Sequence, residues 1–164
     1  MERSRTNRAV YKMNASLNKI ARILADDEEL RKLLFYPSDT LDDNLVDVTK
    51  TEVINKCTDI VANYPDSMES IGGFLVIGIP EGHRNKNNPK YFDIVLTIDI
   101  MVHEGSEKFG VGLKALEIFN LIDYLLTETD IQGIGLLKLK DFFYQVYTPT
   151  VKGYTIVFTN RDMN

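Results

Sequence analysis

Apolar and polar positions alternate most regularly between Phe92 and His103. Phe92, Ile94, Leu96, Ile98, Ile100 and Val102 are apolar, and Asp93, Val95, Thr97, Asp99, Met101 and His103 fall between them. A period of two sustained over the whole stretch predicts one long strand with a core face and a mixed face. After a short loop the pattern changes to helical spacing over Val111–Leu126. Val111, Ala115, Ile118, Phe119, Ile122, Leu125 and Leu126 form its apolar stripe. Leu113, Leu116 and Leu121 lie outside that stripe. The helix therefore carries more apolar surface than one sheet contact needs, and such an excess points to a partner, here a second copy of the chain.

Upstream, a helix is predicted from about Met13, with Leu17, Ile20, Ile23 and Leu24 at helical spacing. Asp26 and Glu29 have the spacing of a capping box, so a break falls near Ala25–Asp26 and a second short helix follows with Leu30, Leu33 and Leu34 inward. Pro37 ends it, because the residue before proline avoids the helical region. Thr40–Lys50 is acidic and irregular. Thr51–Tyr64 suits a helix through Val53, Cys57, Ile60 and Tyr64, while Val53-Ile54 and Asp59-Ile60-Val61 also suit strand edges; helix is the preferred reading. Ile71–Pro80 is apolar on both faces and punctuated by Gly72, Gly73 and Gly78, which predicts a strand covered on both sides. Gly82–Lys90 reads as a polar loop.

Downstream, Gly133-Ile134-Gly135 turns the chain into a strand over Leu136–Tyr147, interrupted at Asp141-Phe142-Phe143-Tyr144 as if by a bulge. Pro149 and Gly153 bracket a turn, and Tyr154, Ile156 and Phe158 alternate in a last strand. The order is helices, two strands, helix, two strands. It predicts an α+β fold: a mostly antiparallel sheet with N-terminal helices and one central helix packed on it. The chain reads as one domain over 1–164, with a basic arm at 1–12, helices at 13–36 and a sheet-and-helix core at 71–160.

Composition narrows the function. The net charge of −5 argues against phosphate binding as the main task, since nucleic-acid binders usually carry a basic surplus. Arg3, Arg5, Arg8, Lys12, Lys19 and Arg22 nevertheless make the first stretch basic, read as a solvated arm and helix face or as an arm contacting phosphate or a partner. No apolar run approaches the roughly 20 residues needed to span a bilayer, and no apolar segment follows the early arginines as in a secretory signal. Cys57 is the single cysteine and excludes an internal disulfide framework.

Candidate chemistry rests on few residues. Asp93, Asp99, His103 and Glu104 are of the right types for acid–base or metal chemistry. Asp99 and His103 point the same way but stand on the order of 13 Å apart along a strand, too far to share an ion or a proton. His83, Arg84 and Lys86 in the polar loop could meet phosphate, or form a solvated hairpin tip. Asp42, Asp43 and Asp47 lack the spacing of a calcium loop. No metalloprotease, nucleophile-elbow or phosphate-loop motif is present in the sequence. The expectation is no catalysis, no cofactor and no metal.

Several short motifs occur together: Asp99-Ile100-Met101-Val102-His103 at a strand end, Ile118-Phe119-Asn120-Leu121-Ile122-Asp123 in a helix, Gly133-Ile134-Gly135-Leu136, and a closing Gly153-Tyr154-Thr155-Ile156-Val157-Phe158. With Ile23-Leu24-Ala25-Asp26 and Leu33-Leu34-Phe35-Tyr36 upstream, this resembles the neck proteins of tailed bacteriophages, in particular the tail terminator or tail completion family. The resemblance covers most of Ile20–Phe158. It implies a homo-oligomeric ring, usually a hexamer, that caps the tail tube and joins it to the head connector, with DNA crossing the lumen without sequence-specific binding. A head-completion or stopper protein of the same neck is the nearest alternative, and a small nucleic-acid-binding module is the alternative of a different class. Leu113, Leu116, Leu121, His83, Arg84, Lys86, Asp99 and His103 are the expected subunit or partner contacts.

Overall fold

In the computed structural model of the chain, the described residues are 5–37, 44–60, 65, 67–87, 92–110, 112–131 and 133–160. Three helices come first, α1 (Arg5–Asp26), α2 (Glu28–Phe35) and α3 (Lys50–Cys57). A two-residue strand β1 (Thr58–Asp59) precedes the long hairpin of β2 (Phe74–Arg84) and β3 (Phe92–His103). A short 3-10 helix (Glu104–Ser106) and a small ribbon, β4 (Lys108–Phe109) and β5 (Gly112–Leu113), lead into α4 (Lys114–Leu126). A second ribbon, β6 (Asp130–Ile131) and β7 (Gly135–Leu136), precedes the closing hairpin of β8 (Lys138–Val146) and β9 (Val151–Thr159). The main sheet has the order β1-β2-β3-β9-β8 and is antiparallel except where β1 meets β2. This is the α+β arrangement expected from the pattern.

β3 occupies the predicted residues and lies at the centre of the sheet. Its register separates two faces. On one face Leu75 faces Ile100 and then Tyr154; Ile77 faces Ile98 and then Ile156; Leu96 faces Phe158. These residues, Tyr154 apart, are buried, and α1 and α4 lie over them: a Cβ on Gly82 would meet Met13 of α1 at 3.1 Å, and Phe119 of α4 meets Phe142 of β8. On the opposite face Phe74 stands beside Met101 and Val76 beside Asp99, and all but Asp99 are buried. β2, which starts at Phe74 and not at Ile71, is thus covered on both sides at its start, as its composition requires.

Several boundaries differ from the pattern, each for a physical reason. α1 starts at Arg5, well before the apolar stripe, because Arg5–Lys12 contains neither glycine nor proline and nothing in it stops a helix growing back from Met13. The cap of α2 is Asp27, whose side chain accepts from the Leu30 amide at 2.8 Å, rather than Asp26. The ambiguous segment is both readings in turn: Lys50–Cys57 is helical behind a Thr49–Glu52 capping box, and Thr58–Asp59 is a strand; Tyr64 lies outside the described residues. β2 does not stop at Pro80. A bulge between Gly78 and Glu81 absorbs the proline, and Gly82, His83 and Arg84 pair with Ile94, Asp93 and Phe92. α4 starts at Lys114, since Gly112–Leu113 pairs with β4; Val111 lies outside the described residues. Gly153 is inside β9, not in a turn.

The helical layer is joined to the sheet at the end of α2. The last carbonyls of a helix have no partner within it. Here the Gly73 amide donates to Leu34 O at 3.0 Å, the Cys57 thiol donates to the same oxygen at 3.4 Å, and the buried Lys114 ammonium donates to Tyr36 O at 2.9 Å. Gly72 lies against this helix end so closely that a Cβ would sit 2.1 Å from both Leu33 O and Tyr36 O. Three donors, one of them a cation, therefore meet the negative end of α2. Burial pushes the Cys57 thiol up to about 12, so it is a thiol and a donor at neutral pH.

Arg31 performs the matching task at the end of α1. It is buried, and its guanidinium donates to Ala25 O at 3.0 Å and Asp26 O at 2.9 Å. Its other nitrogens hold the Asp47 carboxylate in a forked pair, with contacts of 2.8 Å to both oxygens. The Arg31 hydrogen bonds hold the Asp47 carboxyl below its ordinary range. A depressed carboxylate contributes stability that is present above its unfolded pKa and lost as pH falls through the folded one.

Two outcomes follow. In Gly153→Ala the new Cβ would stand 1.8 Å from Ile100 O, so β3 and β9 must separate. Urea unfolding should show a loss on the order of 3–5 kcal/mol or no folded protein, and a loss under about 1 kcal/mol would contradict the close approach. Asp47→Asn should lower the thermal midpoint at neutral pH, and the gap to the parent should close as the pH falls below about 4, where the parent loses the same pair. A gap that widens on acidification would mean the Arg31 pair is not its source.

Candidate functional site

On the polar face of β3, Asp99 and His103 have separate partners. Asp99 accepts the Thr155 hydroxyl at 2.5 Å, and the Tyr147 hydroxyl stands 3.4 Å from the same oxygen and 3.3 Å from Tyr154 O. Thr155 is the residue directly opposite Asp99 across the β3–β9 pair, so this cluster ties three strand positions together. His103 has different partners. Its Nδ1 accepts from the Gly105 amide at 3.1 Å, capping the 3-10 turn, and its Nε2 lies 3.8 Å from Glu69. The two side chains that looked most chemical in sequence thus serve separate tasks, Asp99 within β3 and His103 at its end. Among the described residues no group of three His, Cys, Asp or Glu side chains could hold a metal ion.

The basic hairpin is built rather than loose. His83 and Arg84 belong to β2, and His83 Nε2 lies 3.7 Å from Asp93 on the facing strand. Asn85 donates to Asp93 at 2.8 Å, and the Arg84 guanidinium lies 5.8 Å from the centre of the Phe92 ring. Lys86 is exposed at the bend that follows. Asp93 thus holds the Asn85 amide and faces the His83 ring, while Arg84 lies against Phe92.

On α4 the apolar excess is smaller than the periodicity implies. Leu113 stands before the helix and is 37% exposed, Leu116 is half-buried, and Leu121 packs against the core. The large exposed apolar surface lies instead on β8. Phe142, Phe143, Tyr144 and Val146 are 49%, 43%, 50% and 58% exposed, all on one strand. The sequence shows their run as an interruption; in the structure the bulge sits earlier, between Leu139 and Asp141, and Phe142–Val146 is regular strand. Both faces of β8 are open because it is the last strand of the sheet. On the helical face Phe142 touches Phe119 at 4.9 Å between ring centres, and Tyr144 meets Tyr154 at 5.7 Å edge to face. On the other face Phe143 continues the cross-strand row of Val76, Asp99 and Thr155.

The two edges of the sheet are unequal. Beyond β1, the outer edge of β2 carries Pro80, a bulge and the charged Glu81 and Arg84, devices that discourage another strand from pairing there. The charged residues of β8 are confined to its first half, at Lys138, Lys140 and Asp141. Its second half has no charge, no proline and no bulge, and no strand of the described residues pairs with its outer side. An edge of this kind is a template for another chain. The signal in sequence was the uncharged run Phe142–Tyr144 itself, aromatic on consecutive positions and so apolar on both faces.

Compared with known proteins, the chain matches the model of one family, YomW, over residues 27–160. No curated protein matches it. The matched stretch begins at the cap of α2 and ends just past β9, leaving α1 outside it. Since it takes in three of the four helices and every strand of the sheet, the chain belongs to the YomW family, a phage-associated family.

Proposed function

We propose that this protein is a structural component of the neck of a tailed phage and acts there as a tail terminator. Copies of the chain form a closed ring, a hexamer by the resemblance stated above, at the head-proximal end of the tail tube. The ring caps the tube, meets the head connector, and lets DNA pass through its lumen without sequence-specific binding. The reading is of an assembly part with no catalytic step, assembled in the host cytoplasm and retained in the virion.

The observation that carries it is the uncharged aromatic edge of β8 in a chain of a phage-associated family. A protein that works alone normally guards such an edge along its length, and here the charges and the bulge of β8 stop at Asp141. The net charge of −5 fits a channel wall that repels DNA instead of holding it. The polar face of β3 supports the same reading, because Asp99 and His103 are engaged in holding strands and a turn.

The purified protein should sediment as an oligomer and appear as rings in negative stain. Added to polymerising tail tube protein, it should shorten the tubes in proportion to its amount. Rings that bind the connector but leave tube length unchanged would move the assignment to a head-completion role. A monomer that neither caps nor shortens tubes ends the reading.

A further inference from the structure

The charge of the chain is divided between the two ends of the sheet. At the β1 end, α3 packs against β1 and β2, and the Lys50–Asp26 and Arg31–Asp47 ion pairs bring the acidic turn Asp26–Glu29 beside the start of α3. Among the described residues between 26 and 60, seven are acidic and four basic, a net −3. Val46 stands in this acidic region and is 75% exposed, its carbonyl held by the Tyr36 hydroxyl at 2.9 Å. At the far end, the β8–β9 hairpin carries Lys138, Lys140 and Lys152 against Asp141, a net +2, around the aromatic edge. The two ends lie four strand spacings apart, about 19 Å, and so cannot meet within one chain.

We infer that the β8 edge of one copy docks on the acidic α2–α3 end of the next, with the aromatic strand covering the region of Val46 and the lysines facing the carboxylates. The contact is heterologous: each copy offers one surface and receives on another, so repetition yields a ring or an open chain. An isologous contact between two β8 strands lacks this complementarity, since each would bring only its own basic surplus. The four exposed β8 side chains leave on the order of 400 Å² uncovered, divided between the two faces of the strand around its free edge. This inference rests on the self-assembly proposed above and names the surfaces that perform it.

Two sets of substitutions block one end each. Lys138→Glu with Lys140→Glu alters the β8 edge, and Phe143→Asp is a second, independent variant of it. Val46→Lys with Glu29→Lys alters the acidic end at exposed positions. Circular dichroism and thermal midpoints establish that each variant is folded, and sedimentation velocity reads the assembly. Each variant alone should self-associate roughly tenfold more weakly than the parent, or not at all. A one-to-one mixture of Phe143→Asp with the acidic-end variant should form a dimer and grow no further, because only one competent pair of ends remains; Lys138→Glu with Lys140→Glu is left out of the mixture, since its new carboxylates would match the new lysines. Dimers of the acidic-end variant alone would overturn the inference in favour of β8–β8 pairing. Assembly of the folded variants at the parent's strength, or a parent that stays monomeric, would overturn it as well. A closed ring that both variant types still form leaves the tail-terminator reading standing without this contact; an open chain abolished by both does the reverse.

Discussion

At the end of α2, backbone oxygens that their own helix cannot satisfy are taken up by three other parts of the chain. The Gly73 amide brings the start of β2 to Leu34, the Cys57 thiol brings the end of α3 to the same oxygen, and the Lys114 ammonium brings the first turn of α4 to Tyr36. A buried carbonyl without a partner costs about 1–3 kcal/mol, so these contacts are constraints as much as attractions. Gly72 permits the approach, because any side chain there would overlap the helix end. Once this joint is fixed, α4 lies over β3 and β9, and Phe119 reaches Phe142 on the edge strand. The position of the exposed aromatic edge is thus set from the opposite side of the molecule.

The same arrangement explains what could be read from the residues and what could not. The strand Phe92–His103 was legible to the residue because it alternates throughout and has both neighbours in the sheet. α2 was legible because a proline ends it and carboxylates begin it. The start of α1 was not, because Arg5–Lys12 carries no apolar stripe at helical spacing to mark it. Gly153 looked like a turn residue for its type, but its role is to let β9 approach β3, a property of two segments far apart in sequence. Asp99 and His103 suggested chemistry by type, and only the positions of Thr155, Tyr147, Gly105 and Glu69 show them as strand and turn fastenings.

The candidate surface was legible in part. Excess apolar area was expected and is present, but on β8 rather than on α4, where Leu121 turns inward. Periodicity along one helix cannot tell which side a neighbouring helix covers, and α4 is covered by both α1 and α2. The run Asp141–Tyr144 looked like a defect in alternation because Phe142, Phe143 and Tyr144 put aromatic rings on both faces of an edge strand. That is the condition under which alternation ceases to be informative.

The place of β3 has a further consequence for how the chain is made. Its two neighbours come from opposite ends of the sequence: β2 immediately before it, β9 long after, so that Asp99 and Thr155 meet across 56 positions. During synthesis the β2–β3 hairpin emerges with one side of its most apolar strand uncovered, and it stays so until β9 has left the ribosome. A chain cut short before β9 would expose that inner edge, which carries no proline and pairs over nine positions in the finished protein. Quality control in the cell would then see truncated copies as sticky intermediates.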